Sequence, residues 1–164
     1  MMTAPITTHS ADPGAARTDQ RLRQRLMRAL AQAEPAQIAE AMAGLGDLPA
    51  ALDLRQPQTG LVMLRGRIGG DGAAFNIGEA TVSRAAVKIA SGEVGFGWRL
   101  GRSLVAARQA AIADALLQRP EWQARILETV ILPLEAQRDL RRNEAAQETA
   151  ATRVEFFTMA RGSE

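Results

Sequence analysis

Two glycine-bearing turns divide residues 60–100, GLVMLRGRIGGDGAAFNIGEATVSRAAVKIASGEVGFGWRL, into three stretches with the period-two alternation of β-strands. In the first stretch Val62, Leu64 and Ile68 fall on one face and Leu61, Met63, Arg65 and Arg67 on the other. Gly69-Gly70-Asp71-Gly72 supplies the positive φ angles of a tight return, so the second stretch is expected to run back antiparallel. That return, residues 73–90, is too long for one regular strand, and Gly78 is the natural place for a bulge or bend. Ser91-Gly92 forms the next turn. In the third strand, residues 93–100, Val94, Phe96 and Trp98 alternate with Gly95, Gly97 and Arg99. Glycines along one face require that a backbone or a helix lies close against it.

Helical patterns flank this unit. Residues 1–16 have no periodicity and are expected to form a disordered tail, which also holds the only histidine, His9. In residues 17–33 the positions Leu22, Leu26, Ala29, Leu30 and Ala33 fall three and four apart, and Pro35 opens a second helix with Ile38, Met42 and Leu45 on one face. Leu52 and Leu54 alternate with Asp53 and Arg55 in a short edge strand that Pro57 is expected to end. Beyond Gly101, Ser103 is a candidate N-cap for a helix through Leu104, Ala107, Ala111, Ile112, Ala115 and Leu116 that stops at Arg119 before Pro120. A further helical segment with Trp122, Ile126 and Val130 runs until Pro133 interrupts it. Residues 134–150 favour helix but are polar nearly all round, with Leu134 and Leu140 the large apolar exceptions; such a helix stands in solvent or meets a partner. RVEFFTMA at 153–160 reads as a last strand with Phe156 and Phe157 on opposite faces. The fold expected is α+β, with residues 17–164 forming one domain in which helices pack an antiparallel sheet of about four to five strands.

Composition removes several functional classes. A chain of 164 residues is long enough to bury a core without disulfides or metals, and it has no cysteine to supply a thiolate nucleophile or a Cys-type metal site. The pI of about 10.3 suggests a polyanion partner, yet the net charge is only +2. Lys88 is the one lysine, and without Tyr or Cys almost nothing titrates between neutrality and the arginines. The high pI therefore records missing buffering groups. No apolar run is long enough to span a membrane and no secretory signal is evident, which leads to the expectation of a soluble, cytoplasmic protein.

Several basic residues are candidates for binding an anion or a partner. The glycine-rich strand end GFGWRLGR places Arg99 and Arg102 beside the start of a helix, where backbone N–H groups favour anions; its spacing is neither a Walker loop nor a dinucleotide fingerprint. Arg84 and Lys88, four apart on one strand face, form either a phosphate-facing stripe or a charge guard on an exposed sheet edge. Arg108 lies within the apolar stripe of its helix and requires a carboxylate, with Asp114 and Glu93 as internal possibilities, or another chain. Phe156, Phe157 and Leu140 are candidate partner contacts. Carboxylates are scattered, no nucleophile elbow occurs, and neither a catalytic residue nor a metal ligand can be assigned.

The runs QTGLVMLRGRIGG, FNIGEATVSRAAVKI, GFGWRLGR with a following IADALLQ, and RVEFFTMARG together resemble the PhnG subunit family of the bacterial carbon-phosphorus lyase system, over roughly residues 34–162. The resemblance implies a cytoplasmic subunit of a core complex with PhnH, PhnI and PhnJ type partners that degrades organophosphonates. It implies participation in the step that couples ATP and phosphonate to ribose 1-phosphonate 5-triphosphate with release of adenine. ATP and phosphonate are then substrates of the whole complex, and no cofactor is expected in this chain. Family members often carry a His-Ala pair after the Gly-Arg that opens the long helix; here Ala106-Ala107 stand at those positions. The expected role is structural and non-catalytic. The competing expectation is a small arginine-rich nucleic-acid or nucleotide-binding module, drawn from residues 17–28, against which stands the scarcity of aromatics for base stacking.

Overall fold

The computed structural model describes residues 13–67 and 72–151, with the side chains of the first helix described from Gln20 onward. Three strands, β1 (Ala51–Gly66), β2 (Phe75–Ile89) and β3 (Val94–Leu100), form an antiparallel sheet in the order β1-β2-β3. The β1 to β2 return is antiparallel as expected; residues 69–71 of its turn, with Ile68, lie outside the described residues. The register skips a residue between Leu64 and Arg65, opposite Gly78 and Asn76, so the bulge falls at Ile77 beside the glycine expected to admit it. At the second turn Gly92 takes φ 111° and its N–H donates to the Ile89 carbonyl.

The described sheet has three strands where four to five were expected, for two reasons. Residues 52–55 are not a separate strand, because β1 continues through Pro57. The proline sits on the sheet edge, where its missing N–H costs no ladder bond, and register shifts between Asp53 and Arg55 and between Arg55 and Gln58 absorb it. The strand expected at 153–160, with Phe156 and Phe157, lies outside the described residues, as does His9.

Helix α3 (Leu104–Leu117) covers one face of β2 and β3. Ser103 caps it, its hydroxyl accepting from the Ala106 N–H at 3.4 Å. Ala107, Ala111 and Ala115 recur every four residues and present backbone directly to the strand. A Cβ at Gly97 would meet the Ala107 carbonyl oxygen, and one at Gly95 the Ala111 carbonyl oxygen and the Ala115 nitrogen. The glycines of β3 are therefore fixed by the close seat of α3, the contact that their alternation required.

Helices α1 (Pro13–Gln32) and α2 (Pro35–Ala43) pack on α3 from its other side. α1 starts four residues before its expected beginning. Leu26 and Leu30 from α1, Ile38 and Leu45 from the region of α2, and Leu116 from α3 close the core together with Val87 and Ile89 of β2. α4 (Pro120–Ile126) does not end at Pro133. It passes through a π-helical turn, Leu127–Ile131, into α5 (Leu132–Ala151), and the Leu132 N–H reaches back five residues to Leu127 O. The wider turn accommodates a proline that has no N–H to donate and whose ring would crowd the carbonyl four residues earlier. The first half of α5 is tied down by Arg25, whose Nη2 lies 2.7 Å from Glu135 Oε2; beyond Arg141 every described residue is exposed.

Candidate functional site

Alternation along β2 assigns Ser83, Ala85, Val87 and Ile89 to the side of α3, and Val82, Arg84, Ala86 and Lys88 to the opposite side. No described element packs on that opposite side. Cross-strand pairing puts Trp98 and Gln58 beside Arg84, Phe96 and Arg55 beside Ala86, and Val94 and Leu52 beside Lys88. The outcome is an open apolar face: Leu52 is 68% exposed, Leu100 64%, Trp98 50% and Phe96 48%. Isolated exposed apolar residues are ordinary, but a contiguous set on one sheet face marks an interaction surface.

The same face is cationic. The Arg84 guanidinium lies over the Trp98 ring, 5.5 Å from its centroid. With the Gln58 amide turned so that its oxygen faces the two arginines, that oxygen accepts from Arg84 Nε at 2.8 Å, Arg84 Nη2 at 2.9 Å and Arg55 Nη1 at 3.1 Å. Two positive groups thus share one neutral acceptor. Arg84 and Lys88 do not guard an edge, because β2 is the central strand of the described sheet.

Beyond Val82 the sheet narrows to a two-stranded ribbon, residues 61–66 and 75–81, because β3 ends at Leu100. Leu61, Met63, Leu64, Phe75 and Ile77 are all exposed on it. An isolated two-stranded ribbon is marginal in water, so burial of this arm would stabilise it.

Arg99 and Arg102 occupy a different place, on the α3 side of β3. Together with Glu34, Pro35 and Ser103 they line an open cleft of about 560 Å³ between the α1–α2 junction and the start of α3. Arg99 Nη2 donates to Ala33 O at 3.0 Å, while its Nε and Nη1 are buried without a hydrogen-bond partner among the described residues. Burial pushes the Arg99 pKa down, and the nearby Glu34 carboxylate opposes that shift.

Arg108 is a structural tie. Its Nε lies 2.7 Å from Asp53 Oδ1 and its Nη2 donates to Ala51 O at 3.1 Å, so it joins α3 to β1. The carboxylate is neither of the two expected. Asp114 is instead fully buried, held by Arg23 and by the Phe96 N–H, and Glu93 accepts from the Ser91 hydroxyl, which holds its carboxyl below the usual range. Asp53 was missed because its distance from Arg108 in sequence, 55 residues, leaves no local signal. Leu140 is exposed on α5, away from the sheet. The open-face residues Leu52, Arg55, Gln58 and Leu100 are not among the site residues expected from the sequence, since the face they share exists only once β1, β2 and β3 are in register.

No group of three or more His, Cys, Asp or Glu side chains among the described residues is arranged to hold a metal ion. No described helix is long and apolar enough to cross a membrane. The described residues thus form an α+β protein whose three-stranded sheet is covered by helices on one side and left apolar and cationic on the other. Residues 21–162 match the family model of the phosphonate metabolism protein PhnG. The chain is also 48% identical, over 138 residues, to the alpha-D-ribose 1-methylphosphonate 5-triphosphate synthase subunit PhnG of Rhizobium meliloti (strain 1021), covering 84% of this chain and 88% of that relative. The chain belongs to the PhnG family.

Proposed function

We propose that the chain is a docking subunit of a ribose 1-methylphosphonate 5-triphosphate synthase, in the cytoplasmic carbon-phosphorus lyase system. Its assembly joins ATP and a phosphonate into ribose 1-phosphonate 5-triphosphate with release of adenine. Its partners are subunits of the PhnH, PhnI and PhnJ types. The chain contributes surface rather than reacting groups: the described residues hold no histidine, and the one fully buried carboxylate, Asp114, is saturated by Arg23 and a backbone N–H.

The observation that carries this reading is the open face of the sheet, continuous with the apolar ribbon that extends from it. Both have the composition of a surface buried in assembly and neither has cover from the described chain. Co-expression with the three partner types followed by size-exclusion chromatography tests it. Co-elution as one stoichiometric species is the expected result; a chain that stays free while the others assemble would overturn the proposal.

A further inference from the structure

We infer that the open face of the sheet receives an acidic, apolar-bearing surface of another polypeptide, with carboxylates seated against Arg84, Arg55 and Lys88 and apolar side chains against Trp98, Phe96 and Leu52. This rests on the docking-subunit reading and names the chemistry of the partner at that site.

Charge placement carries the inference. Strands β1, β2 and β3 contain two carboxylates, Asp53 and Glu79. Asp53 pairs in register with Val87 and Glu79 with Met63, on the α3 side, and Asp53 is already bonded to Arg108. Three of the five basic residues of the strands take the opposite side: Arg84 and Lys88 directly, and Arg55 through its pairing with Ala86. None of the three forms an ion pair with a described residue. The face therefore bears cations alone, set among apolar side chains.

A cation buried at an interface without a counter-charge is strongly unfavourable, so whatever covers this face must supply anions. A second copy docking by the same face would set arginine against arginine. The chain's own residues 152–164 carry acidic and basic side chains in equal number, Glu155 and Glu164 against Arg153 and Arg161, and bring no excess of acidic side chains. A nucleic acid would match the charge, but the Trp98 ring already carries the Arg84 guanidinium, and the aliphatic Leu52, Leu64 and Leu100 give bases no stacking platform, which leaves Phe96 alone among the three-stranded face's aromatics. An acidic protein surface satisfies both halves of the face.

The test uses the full chain co-expressed with its three partner subunits. Arg84→Gln/Lys88→Gln and Arg84→Glu/Lys88→Glu are compared with wild type for affinity across a salt series, alongside Trp98→Phe. The Gln pair is expected to weaken assembly roughly tenfold at about 50 mM salt and to flatten its salt dependence, with the Glu pair weaker still. Thermal melting of the free variants should match wild type, since neither residue is in an ion pair with a described residue. Assembly should also shift the tryptophan fluorescence of wild type and much less that of Trp98→Phe. Wild-type assembly with unchanged affinity and salt slope in both charge variants overturns this inference and leaves the docking reading standing. Failure of wild type to assemble overturns both. Salt-sensitive binding of a single-stranded oligonucleotide that the Glu pair abolishes, or self-association that it abolishes, overturns the inference in favour of those occupants.

Discussion

The Arg23 guanidinium clasps the Asp114 carboxylate with two parallel hydrogen bonds, Nε to Oδ1 at 2.6 Å and Nη2 to Oδ2 at 2.7 Å, although Asp114 is fully buried and Arg23 is nearly half exposed. The second oxygen also accepts from the Phe96 N–H at 2.9 Å. One carboxylate thereby joins α1, α3 and β3, and the hydrogen bonds to it raise the Arg23 pKa. The strand whose outer face carries Phe96 and Trp98 is held from behind by this group.

Removing that carboxylate leaves a buried backbone N–H without an acceptor and an arginine without its partner. Asp114→Ala is expected to destabilise the chain by about 3 kcal/mol, and Asp114→Asn by less because one acceptor remains. Chemical denaturation checks the order. Asp114→Ala within experimental error of wild type would show that the clasp contributes nothing net.

Glycines in this chain fall into two physical classes. Gly97→Ala drives a Cβ into the Ala107 carbonyl oxygen, a backbone atom that cannot rotate away, and is expected to cost about 3 kcal/mol, or roughly 10 °C in Tm. Gly60→Ala and Gly78→Ala place a Cβ in open space and are expected to change stability by about 0.5 kcal/mol or less. Thermal melts of the three variants side by side separate the classes. Equal melts would refute close packing of α3 on β3.

Arg108 is expected to act on stability rather than on assembly. A double-mutant cycle with Asp53→Ala and Arg108→Ala should give a coupling of about 1 kcal/mol, modest because both side chains retain solvent contact. The affinity of folded Arg108→Ala for partner subunits should equal that of wild type. A coupling near zero together with weakened assembly would assign Arg108 to an interface instead.

Features with a local cause were readable from the sequence. The return at Ser91-Gly92, the bulge beside Gly78, the Ser103 cap and the packing meaning of Gly95 and Gly97 each depend on a few adjacent residues. Features set by long-range pairing were not. Pro57 reads as a strand end until β1 proves to be an edge, and Pro133 reads as a helix end until a π-helical turn accommodates it. The open face joins Leu52, Arg84 and Trp98 from three strands, so single-strand alternation names its members without showing that they meet. Arg84 and Lys88 were legible as a pair on one face, but their position on the central strand was not.

Hydrogen–deuterium exchange of the chain, free and assembled with its partner subunits, tests the docking role most directly. In the free chain, amides of the ribbon at 61–66 and 75–81 are expected to exchange fastest among the strand residues, having neither a third strand nor a helix over them. On assembly, those amides and those of 94–100 should gain protection while the already buried amides of α3 stay unchanged. Assembly that leaves exchange in all three segments as it was in the free chain would contradict the proposal that this face and its ribbon are where the partners dock.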